Sequence, residues 1–261
     1  MHGVTAENGS PRVAIACAFP GELEPALARL SGLCPLALPG VDAFGTLRFD
    51  RLEVDFVALG TGESIARSAA EALLGARSPC SVLLVGIAGA LAPELRIGDA
   101  VVASWLGRRS AVDERQRVYP HPSLTDTLRA QLCGAGVSVH LGGLLTSGNA
   151  VVCSRADKLA ARTSSSALAV DMESCAVAQA CADRGIRFAA VRFVSDGVDD
   201  ELPPWLNTCF DPATGFDQTR IAAEVSANPA LASALLNGSA RAIARIRASL
   251  PALILAIASV K

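Results

Sequence analysis

The sequence predicts an α/β fold: a single-domain, three-layer αβα sandwich with a mixed, twisted central sheet and a helical C-terminal tail. Three observations predict it. Short apolar runs alternate with stretches of helical periodicity from Arg12 to Ser195. Several of those runs are apolar at consecutive positions, as in strands covered on both faces. No internal repeat and no linker divides the core.

Taken in order, the strand candidates are RVAIACA (12–18), EVDFVAL (53–59), SVLLVGIA (81–88), GDAVVAS (98–104), VSVHLGGLLT (137–146), SALAVDM (166–172) and FAAVRFVS (188–195). Most are rich in valine or leucine and bounded by glycine, proline or serine. Between them lie GELEPALARL (21–30), GESIARSAAEALLGA (62–76), SLTDTLRAQLC (123–133), SRADKLAAR (154–162) and ESCAVAQACADRG (173–185), each with apolar residues at helical spacing. Gly185 is placed to cap the last of these. The stretch 199–217 is a turn-rich loop, and 218–258 reads as helical, interrupted at Pro229 and Pro251. The expected organisation is a disordered N-terminal tail (1–11), a core region (12–217) and a helical extension (218–261) packed on the same domain.

Composition narrows the function classes. Of 261 residues, 51% are apolar and 18% charged, with a formal net charge of −2, so no basic face is available to hold nucleic-acid phosphates. The residues before Pro11 are small and polar, unlike a signal peptide. No run reaches the roughly 18 apolar residues that a transmembrane helix needs. The apolar segment LPALILAIASV (250–260) reads either as a buried or interface-covering helix or as an apolar gate or membrane-surface contact, with Trp205 able to contribute to either. Eight scattered cysteines form no paired spacing, and His2, His121 and His140 lie far apart. Free thiols in a reducing cytoplasm, and no metal, are the expectation.

The chemistry-bearing residues gather at strand ends. LGTGES (59–64) and VGIAGAL (85–91) carry glycines where backbone N–H groups can approach a ligand, although ordinary tight turns explain them equally. Neither fits a dinucleotide or P-loop fingerprint, so no cofactor is indicated. Glu22, Glu173 and Asp196 each follow a strand, and Arg192 lies within one. In an open α/β sheet, ligands collect at the carboxyl ends of strands, so three acids there can converge on one pocket. Any one of them also fits a helix N-cap. No serine or cysteine has a histidine at nucleophile spacing.

Six segments in this order, VAIACAFPGELE, GTGES, LLVGIAGALAPELRIGDAVVAS, LLTSGNAVV, AVDMESCAVAQAC and FAAVRFVSDGVDD, resemble the purine nucleoside phosphorylase and nucleosidase superfamily over about residues 12–200. The nearest shape in it is methylthioadenosine/S-adenosylhomocysteine nucleosidase. GIAGALAPELRIGD with Ile87, SDGVDDELPP and the tail ANPALASALLNGSARAIARI are similar to the hopanoid-associated branch, which removes adenine from adenosylhopane.

The resemblance implies roles by position. Asp196 would hydrogen-bond or protonate N7 of the leaving purine, Glu173 would hold the ribose hydroxyls, Met172 would pack on the sugar, and Glu22 would activate a water. Val151 and Val152 would line the adenine pocket by stacking and backbone hydrogen bonds. Ser147, Gly86, Ile87, Ala88, Arg192 and Ser195 join them as substrate-binding residues. Asp171 has no derivable role beyond the local turn or helix start. The superfamily's phosphorylases place one arginine in the first glycine-rich loop and another before the second. Here FPGELE has none, and LLVGIAG has Leu84 and Ile87 where the arginine and a hydroxyl would be. Only Arg192 remains for a phosphate, which favours water as nucleophile. Phosphorolysis, or a nucleoside-binding homologue without catalysis, is the alternative. The resemblance further implies a homo-oligomer in the cytoplasm, with at most peripheral contact at the inner membrane. The implied partner is a small adenosyl substrate, possibly lipid-linked.

Overall fold

The computed structural model describes residues 10–49, 51–110 and 113–259. All but the last two residues of the expected N-terminal tail (Ser10, Pro11) lie outside this range, as does Val260. The chain runs β1 (Arg12–Cys17), α1 (Pro20–Leu27), β2 (Asp42–Phe49), β3 (Leu52–Ala58), α2 (Glu63–Arg77), β4 (Ser81–Ala90), β5 (Ala100–Arg108), α3 (Pro122–Gly134), β6 (Val139–Thr146), α4 (Arg155–Ser165), β7 (Ala169–Asp171), α5 (Ser174–Ala182) and β8 (Arg187–Asp196). A small ribbon, β9 (Phe210–Asp211) with β10 (Gly215–Phe216), precedes α6 (Gln218–Ala227) and α7 (Pro229–Ala258).

The sheet order is β2-β3-β1-β4-β7-β6-β5-β8, with β8 also pairing to β4. That second pairing closes β4-β7-β6-β5-β8 into a ring, so part of the sheet is a barrel and the rest an open wing. Strands β1, β3, β4 and β8 run parallel, whereas β7 opposes β4 and β5 opposes β8. The mixed sheet expected from the sequence is therefore present, with helices on both faces. Helices α2 and α5 pack together on one side, and α1, α3 and α7 on the other. Strands β1, β4 and β8 are buried almost throughout, which is why their sequences are apolar without alternation.

Two expectations change. Strand β2, DAFGTLRF, escapes the periodicity because it is an edge strand carrying polar residues and a register shift between Ala43 and Gly45. Helix α7 passes through Pro251 without ending. Proline costs a helix interior about 3 kcal/mol, but Leu250, Leu253, Ala256 and Ile257 are buried on both sides of it. The apolar C-terminal run is thus a core helix; its described residues do not line the site cavity, so the reading as a gate is set aside. Among the described residues, no helix is long and apolar enough to cross a membrane. All eight cysteines are free, and no group of side chains there has the makings of a metal site.

Candidate active site

Because β1, β4 and β8 are parallel, their carboxyl ends share one edge, and a cavity of about 350 Å³ opens there. Glu22, Ile87, Ala88, Ser147, Val151, Val152, Met172, Glu173, Ser195 and Asp196 all line it. Gly86 and Arg192 lie just beneath, Arg192 with no solvent exposure.

Glu22 sits in the first turn of α1, turned back over the end of β1. Its Oε2 accepts hydrogen bonds from the Ala18 and Phe19 amides (2.8 and 3.3 Å), and its Oε1 from the Ile87 amide (2.7 Å). Three backbone donors fix the carboxylate, yet burial pushes its pKa up, against the pull of Arg192 and those amides. A carboxylate whose pKa is raised in this way is a stronger base than an exposed one. The Cys17 thiol nearby is pushed well above its ordinary value, chiefly by burial, so it does not offer a thiolate.

Arg192 pairs in register with Gly86, across β4. A Cβ at Gly86 would stand 2.0 Å from Arg192 Nη1 and 2.5 Å from Glu22 Oε1, so only glycine leaves room for both groups over the strand. The guanidinium is anchored behind. Its Nε donates to Asp171 Oδ2 (2.7 Å) and to Ser174 Oγ (3.2 Å), and Nη2 to Glu173 Oε2 (3.3 Å). Nη1 is buried with no partner among the described residues. An unpartnered guanidinium nitrogen beside a carboxylate suits an oxygen ligand.

This corrects the reading of Asp171. It does serve the helix start, accepting from the Glu173 and Ser174 amides through Oδ1. It also takes hydrogen bonds from Thr146 Oγ1 (3.0 Å), the Ser174 hydroxyl and Arg192, so it holds the arginine as well. Beyond it, Met172 forms part of the cavity wall. Glu173 accepts from the Gly62 amide (2.9 Å), the turn glycine of GTGES. Burial, with the Asp171 charge adding to it and Arg192 opposing, raises the Glu173 pKa to about 8.

Asp196 owes its place to a β-bulge. Ala88 pairs with Val194 and Gly89 with Asp196, so Ser195 is the extra residue. Neighbouring side chains that would normally point to opposite faces can then both reach the cavity. Ser195 Oγ donates to Asp196 Oδ1 at 2.6 Å. A Cβ at Gly89 would lie 2.8 Å from Asp196 Oδ2.

Two residues escape sequence reasoning. Lys158, fully buried on α4, donates to Asp196 Oδ2 at 2.6 Å. Its spacing with buried Ala161 and Ser165, at i+3 and i+7 on the inward face, is the signal that was present. Asn207 takes both backbone groups of Val151, accepting from its N–H (2.7 Å) and donating to its C=O (3.0 Å). Val152, by contrast, makes no backbone hydrogen bond among the described residues. The Ser147 hydroxyl is engaged, lying within hydrogen-bond distance of the Ala150 carbonyl of its own loop and of the Asp171 carbonyl at the end of β7.

The family model described as the phosphorylase superfamily matches residues 12–234, from β1 into α7. The chain belongs to that superfamily. Within it, the chain is similar to 5′-methylthioadenosine/S-adenosylhomocysteine nucleosidases of Shewanella halifaxensis and Shewanella oneidensis. Each is 27% identical, over 55% of this chain and 68% and 66% of the relative. Among solved structures, the Helicobacter pylori enzyme of that name, complexed with a substituted pyrrolidin-3-ol, superposes with a TM-score of 0.75. The match is at 18% identity over 97% of this chain and 100% of the other. Futalosine hydrolase of the same organism gives 0.73, at 18% identity over 94% and 97%.

Proposed function

We propose that this protein cleaves the N-glycosidic bond of an adenosyl compound, releasing adenine, with water as the nucleophile. The observation that carries the reading is the occupied anion site. The amides of Ala18, Phe19 and Ile87 converge as a phosphate-binding loop would, but the chain's own Glu22 carboxylate fills them. A phosphate dianion there would displace or face a carboxylate, whereas a water accepts from Arg192 Nη1 and donates to Glu22.

In this mechanism Glu173 holds the ribose hydroxyls and Met172 packs beneath the sugar. As the C1′–N9 bond breaks, its electron pair passes to the purine and Asp196 gives its carboxyl proton to N7, so that neutral adenine departs and Asp196 is left as a carboxylate beside the Ser195 hydroxyl. The anomeric carbon gains oxocarbenium character, which the Glu22 carboxylate stabilises. Water adds its oxygen to C1′ and yields its proton to Glu22. The nucleosidase relatives of similar sequence support this chemistry.

Leu202, Leu206, Phe216, Ile221, Leu235 and Leu236 give the cavity an apolar wall, of which Leu236 is half exposed. We infer from it a bulky apolar 5′ substituent, and adenosylhopane is the compound the sequence resemblance implies. The test is release of free adenine from adenosylhopane, methylthioadenosine and adenosine by the wild type and by Asp196→Asn. The reading expects turnover fastest with the apolar substrate and lost in the variant; unchanged release by Asp196→Asn would sink it. Phosphorolysis is the second reading, favoured by the free Arg192 Nη1; it requires that adenine release depend on added phosphate.

A further inference from the structure

Lys158 is buried at the leaving-group end of the cavity with no part in the steps above. Its side chain has no solvent exposure, and its Nζ lies 2.6 Å from Asp196 Oδ2, 2.8 Å from the Gly197 carbonyl and 2.7 Å from the Asp200 carbonyl. Three acceptors match the three N–H bonds of an ammonium, so its direction is fixed. The Asp200 carboxylate is turned away, onto the Gly197 amide at 2.7 Å. Lys158 therefore ties Asp196 to the turn 197–200, which leads directly to Leu202 in the cavity wall.

The two oxygens of Asp196 are thereby divided. Oδ2 is held by Lys158 from α4, and Oδ1 meets Ser195 on the bulge of β8. We propose that Lys158 is a positioning residue for base departure, holding Asp196 in the one orientation from which the carboxyl reaches N7 of the purine. This rests on the reading of Asp196 as the leaving-group acid. A carboxyl freed from Lys158 rotates about its side-chain bonds in a cavity wide enough for a nucleoside, and the geometry that N7 needs is lost.

The experiment compares two leaving groups. Adenine departs poorly without help at N7, whereas nitrophenolate from 4-nitrophenyl β-riboside departs without a proton. With Lys158→Met, kcat for adenine release is expected to fall about 100-fold, the lower range of general-acid effects, with KM changed only a few-fold. Nitrophenol release should fall less than about five-fold, because that substrate does not draw on the acid. Equal losses on both substrates, or no loss on either, would overturn the proposal. If Lys158→Met does not fold, Lys158→Arg decides in the same assay. It keeps the cation but moves the donor, so a loss confined to adenine supports the proposal and equal losses reject it. Asp196→Asn run alongside separates the two readings. Adenine release that survives it defeats the role of Asp196. Release lost there but retained in Lys158→Met defeats only the role of Lys158.

Discussion

Asp171 Oδ2 accepts a 2.7 Å hydrogen bond from Arg192 Nε, and neither side chain has meaningful contact with solvent. This pair sets the floor of the site. By taking the Nε edge, Asp171 turns Nη2 toward Glu173 and leaves Nη1 beside Glu22. The two acids of VDMES, on either side of Met172, both line the cavity; Asp171 takes Arg192 Nε and Glu173 takes Nη2.

Substituting Asp171→Asn removes the charge that compensates the buried guanidinium. Breaking one partner of a buried pair costs about 3 kcal/mol, so denaturant unfolding should show a loss of that order. Arg192 would also lose its orientation, and kcat should drop about 100-fold with a smaller change in KM, as for a displaced electrostatic donor. Wild-type kcat in a folded variant would contradict the role given to the pair.

Gly86→Ala tests the nucleophile end alone. Its Cβ would stand 2.0 Å from Arg192 Nη1 and 2.5 Å from Glu22 Oε1, so one of the two must move. Adenine binding, at the other end of the cavity, should persist. Isothermal titration with adenine is expected to give an affinity within a few-fold of wild type while kcat falls at least about 100-fold.

The pH dependence of stability carries the signature of Glu173. Its folded pKa, about 8, lies above the ordinary 4.5, so between those values the native state holds a proton that the unfolded chain releases. The associated stability is fully present below the ordinary value and is lost as pH rises through about 8. Thermal melts of the ligand-free protein from pH 5 to 8 should therefore fall in Tm more steeply than those of Glu173→Gln. Glu22, shifted the same way by burial, contributes to both and cancels in the difference. Parallel slopes would remove Glu173 from this account.

Helix α7 touches β8 so closely that a Cβ on Gly238 would lie 1.9 Å from the Ser195 carbonyl oxygen. Gly238→Ala must lift this part of the helix, and with it the nearby Leu235 and Leu236 of the apolar wall. Overpacking of this kind costs about 1–3 kcal/mol. KM should rise more for a substrate with an apolar 5′ group than for adenosine, as read from initial rates; equal changes would detach α7 from 5′ recognition.

What the sequence made legible follows from where burial leaves a mark on single residues. Strands β1, β4 and β8 announce themselves because both faces are covered, and Glu22, Glu173 and Asp196 stand out as acids at the ends of such runs. Relations between distant segments leave no such mark. Gly86 reads as a turn glycine until Arg192 is seen to cross above it, and Gly89 until Asp196 lies against it. The bulge at Ser195 is a property of the β4–β8 pairing, invisible in either strand alone. Lys158 looks like the solvated charge of an amphipathic helix, because its carboxylate partner is 38 positions away. Pro251 reads as a helix end because its cost is local while the burial that offsets it is tertiary.

If Glu22 keeps phosphate out of the amide pocket, the oxygen that reaches C1′ comes from water. Turnover of an adenosyl substrate in ¹⁸O-labelled water containing phosphate, followed by mass spectrometry of the sugar product, tests it most directly. Hydrolysis gives one ¹⁸O at the anomeric hydroxyl, no sugar 1-phosphate, and a rate of adenine release independent of phosphate. An unlabelled sugar 1-phosphate, with release that ceases when phosphate is withdrawn, would contradict it.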